Sequence, residues 1–178
     1  MKEILNAKQV QRALNRLIRA VAAQLPKDGR IAVVGVRTRG DIIGRRILES
    51  LRKADPDRPV DYGVLDITFY RDDLSRRRGA PLVRATEIDF DLDDAWVLLV
   101  DDVLQTGRSV RAALGALYDF GRPLAIRLAV LIDRGGRELP IAADFIGAQV
   151  AAPSGQRVQV RLKECDGEEG VFITSPVR

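Results

Sequence analysis

Two adjacent carboxylates, followed at once by hydroxyls and a glycine, stand in the run VLLVDDVLQTGRS at 97–109. The apolar residues that open it predict a buried strand. Asp101 and Asp102 follow at its carboxyl end, and Thr106, Gly107, Arg108 and Ser109 lead into a predicted helix. Gly107 permits close backbone approach. Free N–H groups at the helix start, with the Thr106 and Ser109 hydroxyls, make an anion pocket. Two carboxylates repel phosphate, so they serve another part of the ligand, and ribose hydroxyls or a metal ion are their natural partners. Phosphate and diol on one turn describe a binder of a ribose 5-phosphate. Each piece has a plainer reading. An acid pair can be solvated or can cap a helix, and response-regulator receivers also place acids at strand ends, though without a phosphate-cradling turn straight after. The ordered combination favours the ligand site.

Composition narrows the remaining chemistry. The chain has 178 residues, 46% apolar and 30% charged, which suits one globular domain with a full core. It has no histidine, which excludes a histidine-based triad and the common zinc sites. The one cysteine, Cys165, has no internal disulfide partner and reads as structurally bland. Any metal is expected to be Mg²⁺ held by oxygens. The net charge of +4 and pI near 9.6 fit phosphate-bearing ligands or RNA and prove neither. No apolar run has the length of a membrane span, and MKEILNAKQV lacks the apolar stretch of a secretory signal, so a cytoplasmic protein is expected.

The elements that must position the motif are legible in outline. Val10, Ala13, Leu14, Leu17, Ile18, Val21 and Leu25 fall at helical spacing, with Asn6 as N-cap. IAVVGV (31–36) predicts a buried parallel strand, and a polar turn over 37–40 leads into a helix from about 41 to 54. Further strands are predicted at 60–70, 96–100 and 125–132, and a helix at 109–120; short strands follow at 145–150, 157–164 and 171–174. This alternation predicts a doubly wound, mostly parallel α/β sheet flanked by helices, with ligands at the carboxyl ends of its strands. That rule singles out the loops at 37–40, 101–109 and 133–140.

The 97–109 run resembles the motif by which type I phosphoribosyltransferases bind 5-phosphoribosyl-1-pyrophosphate (PRPP). Together with VGVRTRG (34–40), LDITFYRDDL (65–74), DFGRP (119–123) and LAVLIDRGGRELPIAADFIG (128–147), nearly the whole chain resembles the PyrR family. These are pyrimidine operon regulators with uracil phosphoribosyltransferase activity. The resemblance implies one phosphoribosyltransferase domain over 1–178, with a small hood formed mainly by 133–178. It implies that Thr38, Arg39 and Gly40 hold pyrophosphate. It carries PRPP or UMP contact across Asp101, Asp102, Val103, Leu104, Gln105, Thr106, Gly107, Arg108 and Ser109, with Asp101 and Asp102 taking the ribose hydroxyls, partly through Mg²⁺. The long polar segment at 71–87 resembles a closing catalytic loop, in which Arg71 reaches the pyrophosphate and Arg76, Arg77 and Arg78 read as a solvated run. Catalysis would thus rest on Arg71, Asp101 and Asp102. Arg134, Arg137 and backbone groups of Phe145 and Ile146 would face the base.

The implied partners are PRPP, uracil, UMP or UTP, and the leader of a pyrimidine-operon mRNA, bound by a homodimer or larger assembly through mRNA attenuation. Asn15, Arg19 and Arg137 fall where the family binds RNA. Here the chain departs from the pattern. Gly136, Ala142 and Ala148 stand where His, Arg and Lys are common, Asn15 and Arg19 replace Thr and His, and Gln105 replaces Tyr. Each lost cation removes phosphate attraction, so the PRPP site looks intact while the RNA face looks eroded. A transferase without RNA binding is therefore one alternative, and a purine phosphoribosyltransferase a weaker one. Purine relatives often carry an acid where Gln105 stands, and an amide cannot abstract a proton.

Overall fold

A computed structural model describes residues 1–70, 85–153 and 155–174. Its frame is a five-stranded sheet in the order β3-β2-β4-β5-β6, every pair parallel. The strands are β2 (Ile31–Val36), β3 (Asp61–Leu65), β4 (Trp96–Leu104), β5 (Ala125–Asp133) and β6 (Phe145–Gln149). The expected α/β sheet is present. Chain order reverses between β2 and β4, and such a switch point opens a crevice at the carboxyl ends of the two strands.

Strand periodicity divides the core. Leu98 and Val100 of β4 pack with α1 (Ala7–Gln24) and α2 (Arg39–Ala54), while Val97 and Leu99 pack with α3 (Arg108–Leu117) on the other face. Helix α1 begins where predicted. Asn6 accepts from the Gln9 backbone at 3.0 Å and Gln9 answers at 2.9 Å, a capping box that satisfies both otherwise unpaired amides. Val10, Ala13, Leu14, Leu17 and Val21 form its buried stripe.

Several predicted boundaries move. The strand predicted at 60–70 stops at Leu65, and Thr68–Tyr70 is a single 3₁₀ turn; the Asp66 side chain accepts the Thr68 amide at 2.8 Å and turns the chain out of the sheet. β4 runs through the acid pair to Leu104, because Asp101, Val103 and Leu104 stay in register with Val130, Ile132 and Asp133 of β5. α2 starts at Arg39, so Arg39 and Gly40 are helical rather than part of the turn.

The hood is also redrawn. β6 belongs to the main sheet. The small antiparallel sheet, order β1-β8-β7, joins β1 (Lys2–Asn6) at the amino terminus to β7 (Arg157–Arg161) and β8 (Gly170–Thr174), with the short α4 (Lys163–Asp166) between the last two. The first six residues lack strict alternation, so the sequence did not reveal that they would pair with the far end of the chain.

Candidate active site at the switch point

The acid pair sits where β4 leaves the core. Asp101 is 8% exposed, and its carboxylate accepts the Asp102 amide at 2.8 Å. The Asp102 carboxylate accepts the Val103 amide at 2.8 Å. Burial pushes the Asp102 carboxyl above the usual range, opposed by a hydrogen bond with Asp101 and by the charge of Arg39. The two carboxylates therefore stand in a site that gains from another cation.

The turn that follows is built for an anion. Gly107 takes φ +91°, and a side chain there would also press on Leu139 and Ile141. The turn delivers the amino end of α3, and the Thr106 hydroxyl accepts the Arg108 amide at 3.3 Å. Arg108 points outward and pairs with Glu138 at 2.8 Å, so its backbone rather than its charge serves the cradle. Above this turn lies a cavity of about 310 Å³, lined by residues 103–110 and by Arg157 and Val158 of β7. It is of small-molecule size. All the expected contacts from Val103 to Ser109 line it, Gln105 and Ser109 included.

The turn after β2 differs. The Arg37–Thr38 peptide is cis and Thr38 is exposed. A Cβ on Gly40 would come within 2.4 Å of the Val100 carbonyl oxygen and 3.0 Å of Asp101 Cα, so Gly40 serves first to seat α2 against β4. Arg39 gives both its Nε (3.0 Å) and an Nη (2.7 Å) to Asp166 of α4. Arg37 binds Glu87 at 2.7 Å, and its buried Nε–H has no partner among the described residues.

The hood-side loop is pinned by its arginines. Arg137 donates to the Gln105 carbonyl (2.8 Å), the Leu104 carbonyl (3.3 Å), the Ile141 carbonyl (2.9 Å) and Asp133 (2.7 Å). That commits the guanidinium to holding 133–141 against the cradle. Arg134 donates to the Gln156 carbonyl at 2.6 Å, and its buried Nε–H has no partner among the described residues.

Phe145 and Ile146 are corrected. They open β6, with their backbone in the ladder opposite Ala129 and Val130, and Phe145 is buried in the core. They lie at the amino end of a parallel strand, whereas the loops of the site lie at the carboxyl ends. Asn15 and Arg19 are exposed on α1. Arg71 and Arg76–Arg78 lie outside the described residues. The sequence reading missed Arg157, Val158 and Asp166. Arg157 and Val158 open a short alternating strand, and no local pattern ties any of the three to a distant motif.

Comparison with known proteins agrees with this architecture. The family described as phosphoribosyl transferase domain matches residues 1–158. The bifunctional protein PyrR of Roseiflexus sp. (strain RS-1) is 51% identical, covering 97% of this chain and 94% of its own length. That of Chloroflexus aurantiacus is 48% identical, with the same coverage. Among solved structures, the hypoxanthine phosphoribosyltransferase of Trypanosoma cruzi superposes with a TM-score of 0.69 over 99% of this chain and 98% of its own, at 16% identity, which speaks to the fold alone. By sequence over nearly its full length and by fold, the chain belongs to the PyrR family of phosphoribosyltransferases.

Proposed function

We propose that the chain transfers the phosphoribosyl group of PRPP to uracil, and that the same pocket, filled by UMP or UTP, governs binding to the leader of a pyrimidine-operon mRNA. One observation carries the first half: the glycine-turned anion cradle, with a cavity over residues 103–110, follows directly on the carboxylate pair at the end of β4. The 5-phosphate would take the amides and hydroxyls of Thr106 to Ser109. Asp101 and Asp102 would take the ribose hydroxyls. They also suit Mg²⁺, since two adjacent carboxylates, with the Asp102 carboxyl pushed up by burial, favour a cation whose other ligands come from the substrate. Bound there with PRPP, the ion would neutralise leaving pyrophosphate.

In the reaction, uracil N1 bonds to ribose C1 as the C1–O bond to pyrophosphate breaks, and the N1 proton passes to solvent. Gln105 cannot accept it, which suits an acidic pyrimidine N–H better than a purine. The protein's task is positioning and charge neutralisation. Arg134, whose buried Nε–H lacks an acceptor among the described residues, is assigned to a base carbonyl. Arg39 and Arg71 are assigned to pyrophosphate.

The test is UMP formation from uracil and PRPP with Mg²⁺, run beside hypoxanthine and guanine. Asp102→Asn and Thr106→Val should each lower turnover about a hundredfold or more. Normal turnover in both refutes the site. For regulation, α1 carries Lys8, Arg12, Arg16 and Arg19 and no acid, a face suited to phosphate. A second reading, a transferase without RNA binding, is favoured by the commitment of Arg137 to the loop. Titration with the chain's own leader RNA separates the two: UMP-dependent binding that weakens steeply with salt supports regulation, and its absence leaves the enzyme alone.

A further inference from the structure

Arg39 and Arg46 stand two helical turns apart on α2, and both reach the segment between β7 and β8. Arg46 forks onto Glu164 (2.9 and 2.7 Å) and Glu169 (2.7 and 3.3 Å). Arg39 forks onto Asp166 (3.0 and 2.7 Å). The Arg46 contacts lie away from the crevice and explain themselves as a tether between hood and sheet. The Arg39 contact does not, because Arg39 opens α2 at the switch point, where its charge reaches Asp102.

A bidentate carboxylate fills the fork that a phosphate group would use. The two arginine side chains and the Asp166 carboxylate are also mostly shielded, at 26%, 19% and 16% exposed, so the pairing is not a loose surface contact. Asp166 is itself fixed: it accepts the Leu162 amide at 2.9 Å and the Cys165 thiol at 3.1 Å.

We propose that Asp166 is an internal stand-in for pyrophosphate, a positioning residue that occupies the Arg39 guanidinium in the free protein and gives it up when a phosphate-bearing ligand arrives. This rests on the assignment of Arg39 to pyrophosphate. Its consequence is a link between ligand and hood. Arg46 keeps the hood attached to α2 while one of the two clamps changes partner, so pyrophosphate affinity includes the cost of breaking the Arg39–Asp166 pair. A residue that merely held Arg39 in place for the ligand would have the opposite sign, since its removal would weaken binding.

The experiment measures the dissociation constant of inorganic pyrophosphate with Mg²⁺ by calorimetry, for the wild type and for Arg39→Gln, Asp166→Asn and Arg46→Gln. Arg39→Gln should weaken binding; if it does not, the assignment of Arg39 falls and this inference falls with it. Given that loss, Asp166→Asn should tighten binding about three- to tenfold, the range an ion pair of this exposure can withhold, and Arg46→Gln should not. Unchanged or weaker binding in Asp166→Asn overturns the competition while leaving Arg39 a ligand.

The wild type supplies a second measurement that does not depend on the variant folding. Burial and the neighbouring Asp166 already push the exposed Cys165 thiol up. When Arg39 leaves, the Asp166 charge is no longer offset, and alkylation of Cys165 should slow as pyrophosphate saturates. An unchanged rate at saturation also overturns the proposal.

Discussion

The turns after β2 and β4 face each other across one crevice, yet they are prepared in different ways. After β4, the cradle is finished: Gly107 is in its left-handed conformation, the Thr106 hydroxyl is in place, and a cavity stands above them. After β2, the glycine is spent on packing and the cation on Asp166. The first is assigned to the part of a nucleotide that is present before and after reaction. The second is assigned to the part that departs. A preformed site suits the retained phosphate, because no rearrangement offsets its binding. A site whose cation already has a partner suits the leaving group, because pyrophosphate held too firmly would not be released.

The largest effect that would break this contrast comes from its two glycines. Gly40→Ala puts a methyl 2.4 Å from a backbone oxygen of β4, where neither partner is a flexible side-chain end. The helix must move off the sheet, at a cost of about 1–3 kcal/mol or more, and its amino end moves away from Asp101. We expect a lowered denaturation midpoint together with lost turnover. Gly107→Ala meets only Leu139 and Ile141 at 3.3–3.4 Å but must hold φ +91°, at about 1–3 kcal/mol. Its loss should fall on the PRPP KM before stability. If Gly107→Ala proves the more damaging to folding, the division between packing glycine and ligand glycine is wrong.

The sequence showed the second turn better than the first for a physical reason. The β4 motif is contiguous: strand, acids, glycine and hydroxyls lie on one stretch, so adjacency in sequence is adjacency in space. What surrounds the β2 turn is assembled from afar. Asp166 reaches Arg39 from the connection between β7 and β8, and the small sheet that carries this connection also takes in Lys2–Asn6, paired with Gly170–Thr174. No periodicity announces such a pairing. The same limit explains Phe145 and Ile146, where a motif match gave the segment while strand direction decided which end meets the ligand. The parallel sheet and its flanking helices were legible because fully apolar runs such as 31–36 and 97–100 leave few other solutions.

A smaller effect tests the Arg39–Asp166 pair as a structural contact. The bond from Arg39 holds the Asp166 carboxyl down to about 2, against an ordinary 3.8. A depressed carboxyl stabilises the fold above its unfolded pKa and loses that contribution as pH falls through the folded one. Asp166→Asn should therefore cost about 1 kcal/mol at pH 7, and the gap to wild type should narrow from pH 4 down to pH 2. Urea melts across that window check it. A gap that stays constant would assign the loss to the amide's altered hydrogen bonds and not to charge.

The smallest effect sharpens the comparison by supplying a glycine that neither turn uses. Gly115 lies within α3, exposed, with none of the described residues inside 4 Å of where a Cβ would stand and no left-handed φ. Alanine there removes backbone freedom from the unfolded chain and meets no obstacle, so it should stabilise by about 0.5–1 kcal/mol. Turnover should be unchanged, because α3 contributes its amino end to the cradle and Gly115 sits near the other end. The sign is what matters: one helix offers Gly107, where a methyl is costly, and Gly115, where it helps. If Gly115→Ala also lowers turnover, then the rigidity of α3 as a whole, and not the geometry of its first turn, sets how the phosphate is held.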